Sequence, residues 1–198
     1  MQKNLEYNIT IYKICRSLKG ILIFLYMFFS KARKEFYESY FLDVDGVLNS
    51  DEYIDRAKKQ EIQGIERHID VEKIKLLKKA IDETGAKVVL SSSWRFTKNE
   101  QYLKQLLEKY GIYLVGSTPL IQCERGLEIK QWISDNQNVE DFIILDDEIY
   151  PSYDEKLLKK LVKISNGNGR GLGEGLLISD IEEIIKRLGR VKKEELER

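Results

Sequence analysis

Two pairs of acids carry the chemistry open to this chain. Asp43 and Asp45 are two apart in FLDVDGVLN, and Asp146 and Asp147 are adjacent in IILDDE. Each pair directly follows an apolar run. Ser91, in VVLSSSWR, also follows one, and Arg125 precedes Gly126 in ERGLEIKQW. Carboxylates resist burial and close approach unless a cation joins them. The chain has a single histidine, His68, and two cysteines far apart, Cys15 and Cys123, which leaves no His- or Cys-based metal site. An oxygen-only set with an open face suits Mg²⁺, so Asp43, Asp45, Asp146 and Asp147 are the expected metal ligands. Asp43 is the expected nucleophile toward phosphorus, forming an acyl phosphate that splits one hard step into two. A turn at Gly46 would set Asp45 on the leaving-group side as proton donor, and then as base toward water. Ser91 and nearby backbone N–H groups would hold phosphoryl oxygens. Arg125 would add positive charge at a helix N-terminus, with Lys130 as the alternative cation. Ser92, Trp94 and Arg95 are candidates for substrate contact; Trp94 also reads as a packing residue and Arg95 as a surface ion pair.

These groups need elements to bring them together. Tyr40–Val44, Lys87–Leu90, Ile112–Val115, Phe142–Leu145 and Leu161–Ile164 read as short apolar strands. Between them run helical patterns. Asp70 caps one whose apolar face is Val71, Ile74, Leu77 and Ile81 and which Gly85 ends. Asn99 caps a second, Gly126–Ser134 forms a third, and Ser179 with Glu182 makes a capping box for the last. A glycine-rich stretch, Gly167 to Gly175, lacks the phosphate-loop pattern and reads as a flexible connection at the active edge. Strands alternating with helices predict an α/β three-layer Rossmann-like fold around a parallel sheet. All strand ends, and with them the four polar clusters, should then meet at one edge.

The ordered set resembles the haloacid dehalogenase (HAD) superfamily from about Ser39 to Leu188. FLDVDGVLN resembles its first motif, the strand ending at Ser91 its second and IILDD its fourth. The third is usually Lys, where this chain offers Arg125. The resemblance implies a HAD-like fold and Mg²⁺-dependent phosphatase or phosphotransferase chemistry through an aspartyl phosphate, because dehalogenation in this superfamily does not use the second acid of D-x-D. TGAKVVLSSSWR, Thr118-Pro119, RGLEIKQWI and ILDD together resemble, more narrowly, the HAD domain of Swiss-army-knife RNA-repair proteins. That implies a phosphorylated substrate such as a nucleotide or an RNA or DNA end. The gaps Asn49–Asp70 and Arg95–Thr118 are too short for a cap domain, so little or no cap is expected and the site should be open. A non-catalytic HAD-fold binding protein and a phosphotransferase to an acceptor other than water are the alternatives.

Composition sets the outer bounds. The 198 residues include 33 Lys plus Arg and 33 Asp plus Glu, a net charge of zero. This gives no global electrostatic case for stable nucleic-acid binding. Two distant cysteines and no disulfide framework predict a reducing, cytoplasmic setting. Residues 1–38 read as an N-terminal appendage, 39–190 as the HAD-like domain and 191–198 as a charged tail. The appendage carries ILIFLYMFF (Ile21–Phe29) between basic residues. Nine residues fall short of the ~20 that span a bilayer as a helix. An accessory helix, or an over-extended gene start with Met27 the true start, is the expected reading, and membrane-surface contact is the alternative.

Overall fold

The structure, a computed structural model, describes residues 36–165 and 172–196. The appendage lies outside the described residues as far as residue 35, as do Gly167, Gly169 and Gly171 of the glycine-rich stretch. Five strands form one sheet: β1 (Tyr37–Leu42), β2 (Lys87–Leu90), β3 (Leu114–Ser117), β4 (Val139–Asp146) and β5 (Leu161–Lys163). All neighbours are parallel and the order is β3-β2-β1-β4-β5. The helices are α1 (Asp51–Lys59), α2 (Val71–Thr84), α3 (Asn99–Lys109), α4 (Arg125–Asp135), α5 (Glu155–Lys160) and α6 (Ile178–Leu196). No helix among the described residues is long and apolar enough to cross a membrane.

Side chains alternate across a strand, so an uninterrupted apolar run feeds both faces of a buried sheet. Tyr40, Leu42, Val88, Leu90, Ile143 and Leu145 join Ile74 and Leu77 of α2, Leu103 and Leu107 of α3, and Ile181 and Ile184 of α6 in one core. Phe41, Val89 and Ile144 join Ile129 of α4 and Leu157 of α5 in the other. Each such Leu or Ile removed from water contributes about 1.5–3 kcal/mol. The three-layer α/β architecture is therefore the expected one. No cap domain interrupts it: only α1 and a 3₁₀ turn (Ile65–Arg67) lie between β1 and α2, and a 3₁₀ turn (Ser93–Phe96) and α3 between β2 and β3.

Local signals succeeded where a side chain had one role to play. The Asp70 carboxylate accepts the Glu72 N–H at 3.0 Å, and Gly85 ends α2 in the left-handed region at φ 74°. Two capping expectations are corrected. Asn99 is the first residue of α3, and its N–H is taken by Thr97 Oγ1 at 3.1 Å. At α6 the Asp180 carboxylate accepts the Leu177 N–H at 2.7 Å, a role expected of the Ser179–Glu182 pair. The charged segment expected as a tail from residue 191 continues α6 as far as Leu196. β3 begins two residues later than expected because the Ile112 N–H closes the end of α3 on the Leu107 carbonyl at 3.1 Å.

Candidate active site

β1, β2 and β3 step outward on one side, and β4 returns beside β1 on the other. That reversal opens a crevice at the C-terminal ends of β1 and β4, the usual ligand position in such sheets. Asp43 follows β1, Asp146 ends β4 and Asp147 comes next. One carboxylate oxygen from each lies within 4.8 Å of the other two, and all three residues are buried. An all-oxygen donor set of this spacing fits a divalent cation.

The structure does not bring Asp45 into this cluster. Its Oδ2 accepts the Trp94 Nε1–H at 2.8 Å and its Oδ1 accepts the Asn49 amide at 3.0 Å. The cause is the turn that follows. Gly46 has φ 74°, and its N–H donates to Asn49 Oδ1 at 2.7 Å. Of the four carboxylates expected to share an ion, the structure brings three together, with the fourth held outside. Gly46 also lies against Asp147, where an added Cβ would overlap the carboxylate. Gly46→Ala is expected to lower divalent-cation affinity about 10–100-fold, the usual cost of disturbing a ligand's support. Titrating Mg²⁺ against thermal stability tests this, and a variant with wild-type metal response would place Asp147 outside the metal set.

Arg125 is the first residue of α4, and its guanidinium turns back over the acids. Its Nη1 lies 3.1 Å from Asp43 Oδ1 and 2.9 Å from Asp146 Oδ2, and its Nη2 donates to the Tyr150 hydroxyl at 3.3 Å. The guanidinium carbon also sits 4.9 Å from the Tyr150 ring centre, a cation–π contact. Gly126 permits this approach: its N–H donates to Ser152 Oγ at 2.9 Å, and a Cβ would overlap the Ser152 backbone. Lys130, the alternative cation, pairs with Asp154 at 2.8 Å on the surface instead.

The serines and Arg95 differ from expectation. Ser92 places its hydroxyl in hydrogen-bond contact with the Asp43 carboxylate. Ser91 Oγ is fully buried and has no hydrogen-bond partner among the described residues. Arg95 is not free for substrate. It donates to the Thr118 carbonyl at 3.0 Å and the Ser91 carbonyl at 2.6 Å, bonds the Ser92 carbonyl, and forms a buried ion pair with Glu128. Four donors spent on protein make it a brace for the Ser91–Ser92 segment.

With this geometry in view, comparison with known families is decisive. A family model described as the HAD domain in Swiss Army Knife RNA repair proteins matches residues 40–172. The chain belongs to that family. No curated protein and no solved structure matches it. The matched span contains every residue of this HAD domain's carboxylate cluster, together with Arg125 and the Ser92 turn.

The electrostatics of the HAD domain set one guanidinium against three carboxylates. Burial pushes the Asp43 carboxyl up, against the opposing pull of Arg125, Ser92 and the Val44 N–H. Burial, with the Asp43 charge beside it, pushes Asp146 up to about 7 despite Arg125. Burial and the same charge push Asp147 up to about 6. Arg125 is itself held more firmly protonated, since its two acid partners outweigh the cost of burying it. A carboxyl raised in the folded state binds its proton more tightly there than in the unfolded chain. Without metal, these groups therefore cost stability progressively as pH rises from about 4 to about 7. A cation binds only the deprotonated form, so its affinity should climb over the upper part of that window. The rise in melting temperature caused by Mg²⁺ is expected to be larger at pH 8 than at pH 5.5. Equal rises at the two pH values would exclude these acids as the ligands.

Among the contributors missed in the sequence, Asn49 ties the Asp45 turn together, Glu128 anchors Arg95, Tyr150 meets the Arg125 guanidinium with hydroxyl and ring, and Tyr153 donates its hydroxyl to Asp146 Oδ2 at 3.3 Å. Each lies within a motif already quoted or a few residues beyond it, yet none is an acid or serine at a strand end, the signal used to find the others.

Proposed function

We propose that this HAD domain is a Mg²⁺-dependent phosphomonoesterase working through an aspartyl phosphate on Asp43, inside the reducing compartment that its exposed free Cys123 suits. The observation that carries the reading is the division of labour between neighbouring acids. Asp43 sits with Asp146, Asp147 and Arg125, whereas Asp45, two residues on, is held apart by Trp94 and Asn49. A metal cluster and a separate acid are what such a reaction needs. Asp43, Asp146 and Asp147 would hold Mg²⁺, which supplies charge neutralisation between carboxylates and phosphate. The Asp43 oxygen attacks phosphorus, an O–P bond forms, and the bond to the leaving oxygen breaks. Asp45 gives that oxygen its proton, then removes one from the water that attacks phosphorus and frees Asp43. Arg125 and the Ser92 hydroxyl offset charge that builds on the phosphoryl oxygens. The family description favours phosphorylated nucleotides or RNA ends as substrates, and the short spans between β1 and α2 and between β2 and β3 suit a bulky one.

Phosphate release from sugar phosphates, nucleoside 3′- and 5′-phosphates and end-phosphorylated oligonucleotides, with Mg²⁺ and with chelator, tests the reading. Turnover that chelator abolishes is expected. A wild type inert across the whole panel with Mg²⁺ present would favour a binding protein that keeps the fold.

A further inference from the structure

The two residues that hold Asp45 also lead away from it. Trp94 forms one wall of a pocket of about 470 Å³, whose other walls are Gly64, Ile65, His68, Asn99 and Tyr102. His68 is tied to the same acid through Asn49, whose amide donates both to Asp45 Oδ1 at 3.0 Å and to the His68 carbonyl at 3.1 Å. A larger cavity of about 670 Å³ lies along α5 and α6, but its lining of Asp141, Lys159, Lys160 and Lys186 includes no residue of the carboxylate cluster.

We propose that the pocket beside Asp45 receives the nucleobase of the leaving nucleoside, so that the substrate is a nucleotide or a nucleic-acid end whose terminal base docks there. The proposal rests on the phosphatase reading and gives the substrate's base a site. Asp45 is the proton donor to the leaving oxygen in that reading, and Trp94, which donates to Asp45 at 2.8 Å, also forms part of the pocket wall, so the pocket is reached from the leaving-group side through that ring. The lining has the chemistry of a base site. Tyr102 offers an exposed aromatic ring, the largely buried Trp94 contributes an aromatic part of the wall, and every base has a face to stack on such a ring. Asn99 and His68 offer donors and acceptors of the kind that read base edges. No carboxylate, ammonium or guanidinium lines it, so a second phosphate has nothing there to meet. Its size falls within the roughly 300–1,000 Å³ of small-molecule sites. Tyr102 is 56% exposed, so its ring is open to an incoming partner.

The test is calorimetric binding to Asp43→Asn protein with Mg²⁺, which holds substrate without turning it over. A nucleoside monophosphate is compared with ribose phosphate, and an end-phosphorylated dinucleotide separates a free nucleotide from a nucleic-acid end. Base-bearing ligands should bind about tenfold or more tighter than ribose phosphate, and Tyr102→Ala should shrink that preference roughly fivefold or more. Asn99→Ala provides a second reading of the same preference. Equal affinity for ligands with and without a base, no binding of the nucleotide, or a preference that neither substitution alters overturns the pocket assignment. Wild-type turnover is scored separately. Activity without base preference sinks the pocket alone, whereas base-selective binding by an inert wild type sinks the phosphatase reading alone.

Discussion

Asp43→Asn will reduce phosphate release about a million-fold, the scale seen when a nucleophile is removed, while raising the melting temperature of the metal-free protein. The first effect follows from chemistry: an amide oxygen does not form the acyl phosphate. The second follows from the crowding of charge. Asp43, Asp146 and Asp147 share one buried space with a single guanidinium, and all three carboxyls are pushed up by burial. Asn keeps an oxygen for Arg125 and removes one charge from the crowd, and Arg125 retains Asp146 at 2.9 Å. Relief of about 1 kcal/mol would raise the melting temperature by roughly 2–4 °C in a domain of this size. The two effects must appear together. A variant that loses activity and also melts lower without metal would mean that Asp43 serves as a structural partner of Arg125, and the nucleophile assignment would lose its physical basis. Such opposition between activity and stability is the mark of a site whose charges are arranged for function.

What could be read from the chain depended on whether one residue's neighbours were set by its own strand. Asp43, Asp146 and Asp147 were legible because each ends or follows an apolar run, and a parallel sheet sends such runs to a common edge. Arg125 was legible as the residue before a helix glycine. The bearing of Asp45 was not, since one positive φ at Gly46 and one amide from Asn49 decide which way the carboxylate turns. Ser91 and Ser92 both follow β2, and only the path of the chain into the next 3₁₀ turn determines which hydroxyl meets Asp43. Arg95 reads as a substrate contact or a surface ion pair, and nothing in the sequence singles out Glu128. Their burial is a property of the pair, 33 residues apart, and no local pattern announces it. That the strand ends meet at one edge, by contrast, follows from general rules of handedness and connection rather than from any residue.

Arg125 is where the metal-free fold is most exposed to a single change. Arg125→Met keeps most of the apolar stem but leaves Asp43 and Asp146 buried and uncompensated, which costs about 3–5 kcal/mol when one partner of a buried pair is removed. Loss of the contact with the Tyr150 hydroxyl and ring adds to this. The penalty should depend on pH in a stated direction. Asp146 stands at about 7 even with Arg125 present, and without the guanidinium it must rise further. At pH 8 the acids are forced toward ionisation and the full penalty applies, whereas at pH 5.5 a proton replaces the missing charge and much of it disappears. Mg²⁺ at pH 8 should recover part of the loss for the same reason. Arg125→Lys restores the charge but not the fork that reaches Asp43, Asp146 and Tyr150 together, so it should recover stability only in part. Melting curves of the two variants at both pH values, with and without Mg²⁺, separate the electrostatic account from simple packing. Packing loss would lower all of the curves equally, because a missing contact takes no notice of protons or of a divalent ion.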